Sequence, residues 1–551
     1  MPGLYTLLTP EKLDTIRKAP FYRELREGMI AQADAFLAEA PAYLKFADLH
    51  LFATTGNRSV YEKTYTEHLD RLESYFAVYL ITEDEKYLNA LTDIVWDVCG
   101  VESWSIPAHV KEDLSIERRR RNLDLVSTRV GMIMAEIYHF LGDKLPDLVR
   151  RRIEYEMRVR ILDSYFAGDE YWWEYTNNNW AAVCAANIFC SFILMGGKEE
   201  TERAIPRLEK TIEGFLLGFD DEGCCKEGYS YWKYGFGHFC IYATALREYT
   251  DGKIDYFKLP KIRAIAGFEE SIAINDTQCI SFSDCKQIFA PSMGLSHFLK
   301  TEYPDLGLPK MGLPAMKKIT LYDLLWLNPA LEGVSTASKA KVFRENQWFI
   351  YHSEAFNFAC KAGCNNEFHN HNDIGSFVFS KNGKMTFSDP GGGEYTRQYF
   401  SSERYSILAA SSRGHSVPII NGQYQVTGTE KSVILAEEKN RYAFTMKNGY
   451  DVESLNALNR EFRAEKDALV ITDTYDFEKD PDEVIERFVS LLPITVDGGK
   501  AVCGDSELVF DTAVFDASVT TEDFRVGVPL YQLNLKVKVP DAKMTLSVKV
   551  C

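Results

Sequence analysis

No stretch of this 551-residue chain approaches the ~18 uninterrupted apolar residues that a membrane-crossing helix needs, so no span is expected. The opening MPGLYTLLTPEKLDTI lacks a basic segment followed by an apolar one, which speaks against a leader. The expectation is cytoplasmic residence, or periplasmic or secreted if a leader was removed. Positive charge is short: 62 Lys and Arg stand against 80 Asp and Glu, a net −18, which excludes nucleic acid as a natural partner. A cysteine framework is missing too. The 12 Cys have no regular spacing, Cys224 and Cys225 are adjacent, and Cys360 and Cys364 lack a second pair at zinc-ribbon spacing. They read as buried free thiols of a reducing compartment.

What is present is an ordinary globular composition, 46% hydrophobic and 26% charged, with a surplus of aromatics at 13%. These build a large core and could also stack on sugar rings. The negative balance does not bar an acidic polymer, because salt screens long-range repulsion beyond about 8 Å and a local basic cleft suffices. Candidate cations are the run Arg118 to Arg121, Lys233, Arg397, Arg404 and Arg413. The Arg run reads more readily as a solvated helix face than as a subsite.

Residues 1–330 read as helix after helix. Thr9-Pro10 is an N-cap with proline at the first helical position. Leu69, Leu72, Phe76, Tyr79 and Leu80 recur at helical spacing, and Thr82 with Glu85 forms a capping box before Leu88, Leu91, Val95 and Val98. Similar segments follow at 123–141, 146–166, 178–196, 201–218 and 232–250, joined by short Gly- or Pro-bearing links. Stacked helical hairpins follow, closed into a toroid or left as an open solenoid, with no fixed repeat to decide between them. From residue 341 to 551 the period changes to short strands: 348–359, 376–380, 417–420, 432–436, 468–475 and 533–539. Asn382-Gly383, Asn421-Gly422, Asn448-Gly449 and Asp497-Gly498-Gly499 mark turns between them. That is a sandwich of antiparallel sheets, reached through a small, polar linker at 331–340.

Three of the ten His, His369, His371 and His415, lie close together in the chain. On an extended segment His369, His371 and Asp373 would share one face, a pattern that suits a transition metal, and Asp389 follows before Pro390-Gly391-Gly392-Gly393. In the helical half, Trp172-Trp173-Glu174-Tyr175-Thr176-Asn177-Asn178-Asn179-Trp180 offers a polar floor between aromatic walls. Glu227-Gly228-Tyr229-Ser230-Tyr231-Trp232-Lys233-Tyr234-Gly235 is the second cluster.

Together these segments resemble the heparinase II/III-like polysaccharide lyases over most of the chain. The H-x-H-x-D-I-G-S-F and Asp-Pro-Gly motifs are specific; the Asn and Tyr steps are weaker matches. The resemblance implies an N-terminal α/α toroid joined to a C-terminal antiparallel β-sandwich. It makes Asn179, Tyr231 and His369 the catalytic residues, and His371, Asp389 and His415 the holders of one divalent ion, with Asp373 not a ligand. Zinc is the default for that set and manganese would be tolerated, in a mainly structural role. Ser416 stands where the family usually has Asn after the distal His, which leaves His415 the least secure ligand. For a second tyrosine from the sandwich side Tyr399 is preferred to Tyr405, and Asn178, Trp180, Lys233, Tyr234 and Arg404 are expected to line the substrate.

The activity so implied is β-elimination on an acidic polysaccharide or oligosaccharide, a glycosaminoglycan before alginate. Asn179 and His369 would donate to the uronate carboxylate as charge develops there, and Tyr231 would serve as base, acid or both. A glycoside hydrolase using Asp221, Glu222 and Glu227, or a binding protein without activity, are the rival readings. Oligomeric state is left open.

Overall fold

In the computed structural model, residues 9–168, 170–288, 290–309 and 320–551 are described; the first part of the opening segment searched for a leader lies outside them. Helices occupy the chain as far as Pro329–Leu331, and the first strand begins at Lys341. Thr9 caps the first helix through Lys12 N, as the sequence implies. The expected capping box at Thr82 is displaced: Thr82 ends one helix, and Asp84 caps the next through Lys86 N.

Helix Asn179–Met195 is the inner element of the helical half. Its sequence carries no charge, and nearly every residue from Asn179 to Phe192 is buried. It packs against helices Leu125–Leu141, Lys198–Leu216 and Gly237–Tyr249. Lys198–Leu216 is amphipathic in the manner of an outer helix, turning Leu208, Ile212 and Phe215 inward. No helix among the described residues is long and apolar enough to cross a membrane.

The C-terminal half holds three antiparallel sheets. The first runs in sequence order through β1 (Lys341–Phe343), β2 (Trp348–His352), β3 (Asn357–Lys361), β4 (Phe377–Lys381) and β5 (Lys384–Phe387). Next in the chain come β6 (Ile419–Ile420), β7 (Ile434–Glu438), β8 (Arg441–Thr445), β9 (Leu455–Ala464), β10 (Leu469–Phe477) and β11 (Val484–Ser490). The last are β12 (Ile494–Asp497), β13 (Lys500–Cys503), β14 (Ser506–Val509), β15 (Phe515–Arg525), β16 (Val528–Val537) and β17 (Lys543–Val550). An eight-stranded sheet has the order β12-β13-β14-β17-β10-β9-β8-β7, and a four-stranded one β15-β16-β11-β6.

The five-stranded sheet joins the halves because its side chains alternate. Trp348, Ile350, Ala359 and Val378 face the helices and enter their core, where Trp348 meets Phe268 and Phe282. Phe349, Phe358, Cys360, Phe377 and Phe379 point the other way into the sandwich core, with Phe349 stacked on Tyr442 at 4.8 Å.

Candidate active site

The specific motif is not a strand. Residues 364–376 form an irregular loop, and His369 has a left-handed backbone with φ of 55°. Such a conformation is strained for a residue other than glycine and is met mostly where the surroundings enforce it. It overturns the expectation that His369, His371 and Asp373 share a face. His369 turns to the cleft and the other two turn inward, both fully buried. The loop is pinned by Asn365 Oδ1, which accepts from Asp373 N at 3.2 Å, and by Gln425 Oε1, which accepts from Ile374 N at 3.0 Å. Beneath it, buried Arg460 donates to the Gly375 and Ser416 carbonyls, is paired with Asp473 and also donates to Glu486.

The centre of the site is a residue the sequence did not single out. Asp284 has no exposed side-chain surface. It accepts from His369 Nδ1 at 2.6 Å, His371 Nε2 at 2.9 Å, Arg404 Nη2 at 3.0 Å, Tyr395 Oη at 3.2 Å and the Tyr399 hydroxyl. Burial alone would raise its carboxyl, but the bonds from His369 and His371 hold it well below the usual carboxylate range. Asp284 belongs to a loop of the helical half, and the Asp-Pro-Gly turn explains how that loop meets the sandwich. Asp389 O accepts from Ser281 Oγ at 3.1 Å and Gln287 Nε2 at 2.9 Å. Gly391, at φ of 68°, leaves no room for a Cβ against the Cys285 carbonyl.

Tyr231 lies over His369, ring centroids 4.2 Å apart, and its hydroxyl is 2.6 Å from that of Tyr395. Burial pushes the Tyr231 phenol well above its ordinary value, so the resting group is protonated. The second tyrosine at Tyr231 is therefore Tyr395, not Tyr399 or Tyr405. Tyr399 is fully buried behind it on Asp284, and Tyr405 meets Asn370 at 3.4 Å. Asn179, on the first turn of its helix, lies against Gly235, one turn beyond Tyr231, where a Cβ would sit 3.1 Å from Asn179 Cβ. Among the described residues the Asn179 amide has no hydrogen-bond partner. Glu227 is buried with Oε2 at 3.4 Å from His369 Nε2, and burial raises its carboxyl.

The expected substrate-lining residues divide. Trp180 meets His109 edge-on at 4.6 Å and Trp172 at a tilt at 4.7 Å, making an aromatic wall beside Asn179. Asn178 is the helix cap, accepting from Trp180 N at 3.1 Å. Lys233 Nζ donates to Ala290 O at 2.7 Å, and burial lowers its pKa. Tyr234 meets His238 edge-on at 5.0 Å. Arg404 is a clamp rather than a free cation, bonded to Asp284, Asn370 O and Tyr399 O. Of the Arg run, Arg119 pairs with Glu102, Arg120 with Glu156 and Arg121 with Glu117. Arg397 reaches Phe52 O and Arg413 reaches Glu522. Asp221 is fully exposed, and Glu222 pairs with Arg344 at 3.0 Å.

The metal expectation has a physical footing. Ligand atoms of His371, Asp373 and His415 lie within 4.8 Å of one another, all buried. Among the described residues, His371 Nδ1 and Asp373 Oδ2 are buried without a hydrogen-bond partner. His415 Nε2 is 3.0 Å from the Ala409 carbonyl and so carries a proton, while Nδ1 faces Asp389 Oδ2 at 3.0 Å. Unless a cation or a second proton stands between them, those are two lone pairs in opposition. The residues therefore fit a divalent ion. Asp373, expected to stand apart from the ligands, lies in the cluster, although Lys361 Nζ already holds its Oδ1 at 2.7 Å.

Residues 335–514 match the family model described as Heparinase II/III-like, C-terminal. No curated protein matches the sequence. Among solved structures, heparinase III superposes with a TM-score of 0.65 at 12% identity over 99% of this chain and 91% of its own. A mutant of a heparan sulfate lyase from Pedobacter heparinus gives 0.60 at 12%, over 98% and 90%. The chondroitin AC lyase of Streptomyces coelicolor A3, in complex with chondroitin sulphate, gives 0.56 at 11%, over 99% and 82%. Residues 335–514 are thus a heparinase II/III-like C-terminal domain, and the chain as a whole has the α/α-toroid and β-sandwich fold of these lyases.

Proposed function

We propose that the protein is a polysaccharide lyase that cleaves a uronic-acid-containing glycosaminoglycan, or oligosaccharides of one, by β-elimination. The observation that carries this reading is the protonated Tyr231 phenol, held between the His369 ring and the Tyr395 hydroxyl, with the unengaged amide of Asn179 packed against Gly235, one turn beyond it. Elimination removes the C5 proton, places charge on the adjacent carboxylate, and expels the glycosidic oxygen as that charge collapses. Asn179 is suited to donate to the carboxylate, which stabilises the enediolate more than the ground state. Asp284 accepts a hydrogen bond from the Nδ1–H of His369 and keeps the proton there, so Nε2 presents a lone pair to the cleft and serves as the base. Tyr231, its hydroxyl held by that of Tyr395, gives its proton to the departing oxygen, and the proton taken up by His369 returns to the Tyr231 phenolate to reset the site.

The relatives in this fold are named for heparan and chondroitin substrates, which favours a glycosaminoglycan over alginate. Hydrolysis needs two available carboxylates across the bond. Asp221 is in solvent, Glu222 is ion-paired and Asp284 is saturated, which leaves Glu227 alone. His371, His415, Asp389 and Asp373 would hold one divalent ion, zinc by donor type, that fixes the loop carrying His369. The free thiols, all buried except Cys551, suit the reducing, cytoplasmic setting expected.

The test is ultraviolet absorbance of the new C4–C5 double bond during incubation with hyaluronan, chondroitin, heparan sulfate and alginate, as polymers and oligomers. Tyr231→Phe should lower turnover by about 10²–10⁴, the usual worth of a positioned acid. Reducing ends without absorbance, or a Tyr231→Phe enzyme with near-normal turnover, would sink the assignment.

A further inference from the structure

We propose that Glu227 is a specificity residue: its unengaged Oε2 accepts a hydrogen bond from a free ring hydroxyl on the C2–C3 edge of the bound uronate, so that a uronate sulfated there is rejected. The proposal rests on the lyase reading of the site and adds to it the substrate class.

Glu227 is 8% exposed, and among the described residues its buried Oε2 has no hydrogen-bond partner. The ring nitrogen beside it, His369 Nε2 at 3.4 Å, makes no hydrogen bond to it and, with the ring proton on Nδ1, has none to give. A buried acceptor left unpaired is unfavourable, so a donor is expected from outside the chain. The carboxylate cannot easily swing away. Gly228, at φ of 91°, is wedged where a Cβ would lie 2.6 Å from Cys285 Cβ and 2.8 Å from the Phe282 carbonyl oxygen. Neighbouring Asp284 is saturated by its own donors, so Glu227 is the carboxylate left free beside His369.

The placement matches a pyranose ring. Asn179 packs against Gly235, one turn beyond Tyr231, and Glu227 lies 3.4 Å from the edge of His369, the ring stacked on Tyr231. With the carboxylate on Asn179 and C5 near Tyr231, the opposite edge of the ring, C2 and C3, falls toward Glu227. A hydroxyl there donates to Oε2. A sulfate ester removes that donor and sets an anion against Glu227 and Asp284.

The test uses heparosan and chondroitin oligosaccharides, each unsulfated and 2-O-sulfated on the uronate, with wild type and Glu227→Gln. Double-bond absorbance gives kcat/KM, and calorimetric titration gives Kd without need of turnover. Sites that bond a substrate hydroxyl reject analogues lacking it by as much as ~10⁴–10⁵. Wild type should prefer the unsulfated chain by at least about 10²-fold in kcat/KM or Kd, and Glu227→Gln should narrow that ratio at least about tenfold, mainly through KM. Equal handling of both chains by wild type, a ratio unchanged in Glu227→Gln, or no binding of any of them overturns the proposal. Discriminating binding without a double bond would instead support the role of Glu227 and overturn the lyase reading.

Discussion

Replacing Asp284 by Asn separates two roles that its position combines. The side chain keeps its shape but loses the charge that receives His369, His371, Tyr395, Tyr399 and Arg404. The Arg404 guanidinium, only 11% exposed, is then buried without a counter-charge. Removing one partner of a buried ion pair costs about 3–5 kcal/mol. Turnover should fall separately, because an amide no longer selects the His369 tautomer with its proton on Nδ1; a comparable change in a Ser-His-Asp triad costs about 10⁴. Asp284→Asn should therefore unfold earlier in denaturant and be nearly inactive in the double-bond assay. Adding Arg404→Met removes the stranded cation and should restore most of the stability, since apolar replacement of a buried pair is often neutral. It should not restore turnover. Recovery of both would mean that Asp284 only neutralises Arg404, and a single variant as stable as wild type would refute the burial argument itself.

Three further outcomes are expected. Tyr395→Phe should lower turnover by about 10²-fold or more as the partner hydroxyl of Tyr231 is lost, whereas Tyr399→Phe, on the far side of Asp284, should act mainly on stability; the reverse order would remove Tyr395 from the chemistry. Chelation should lower the thermal midpoint, and Asp389→Asn should weaken metal retention by about 10-fold or more, read by elemental analysis; full retention would confine the ligands to His371, Asp373 and His415. Because the folded-state pKa of Asp284 is depressed, its stabilisation is complete above the unfolded value of about 3.9 and is lost as pH falls below it, so acid unfolding of Asp284→Asn should be shallower than that of wild type.

The helices, the change of period near residue 340 and the local motifs were legible because each is written in neighbouring residues. The continuous apolar run of β2 and the charge-free run of Asn179–Met195 needed nothing distant to be read. Asp284 was not legible: it reaches His369 across 85 positions from a loop, SFSDCK, with no recognisable pattern. The one local hint, the left-handed Ser283 beside it, is a property of the fold. Tyr395 was passed over for Tyr399 because sequence distance from the Asp-Pro-Gly turn does not reveal that residues 398–400 wind into a short helix that turns Tyr399 inward. Arg404 and Lys233 looked like substrate cations because a sequence shows charge but not the carbonyls and carboxylates that already engage it.

The five-stranded sheet has a consequence for how the chain can be taken apart. With Trp348 in one core and Phe349 in the other, a single strand is wallpaper for two rooms, and stripping it leaves bare plaster on both sides. A fragment cut at the linker would expose Phe268 and Phe282, which in the whole chain are covered by that strand. Engineering that exchanges one half for that of a relative must therefore carry the first five strands with the helices they cover, and move the seam to the loops after Phe387.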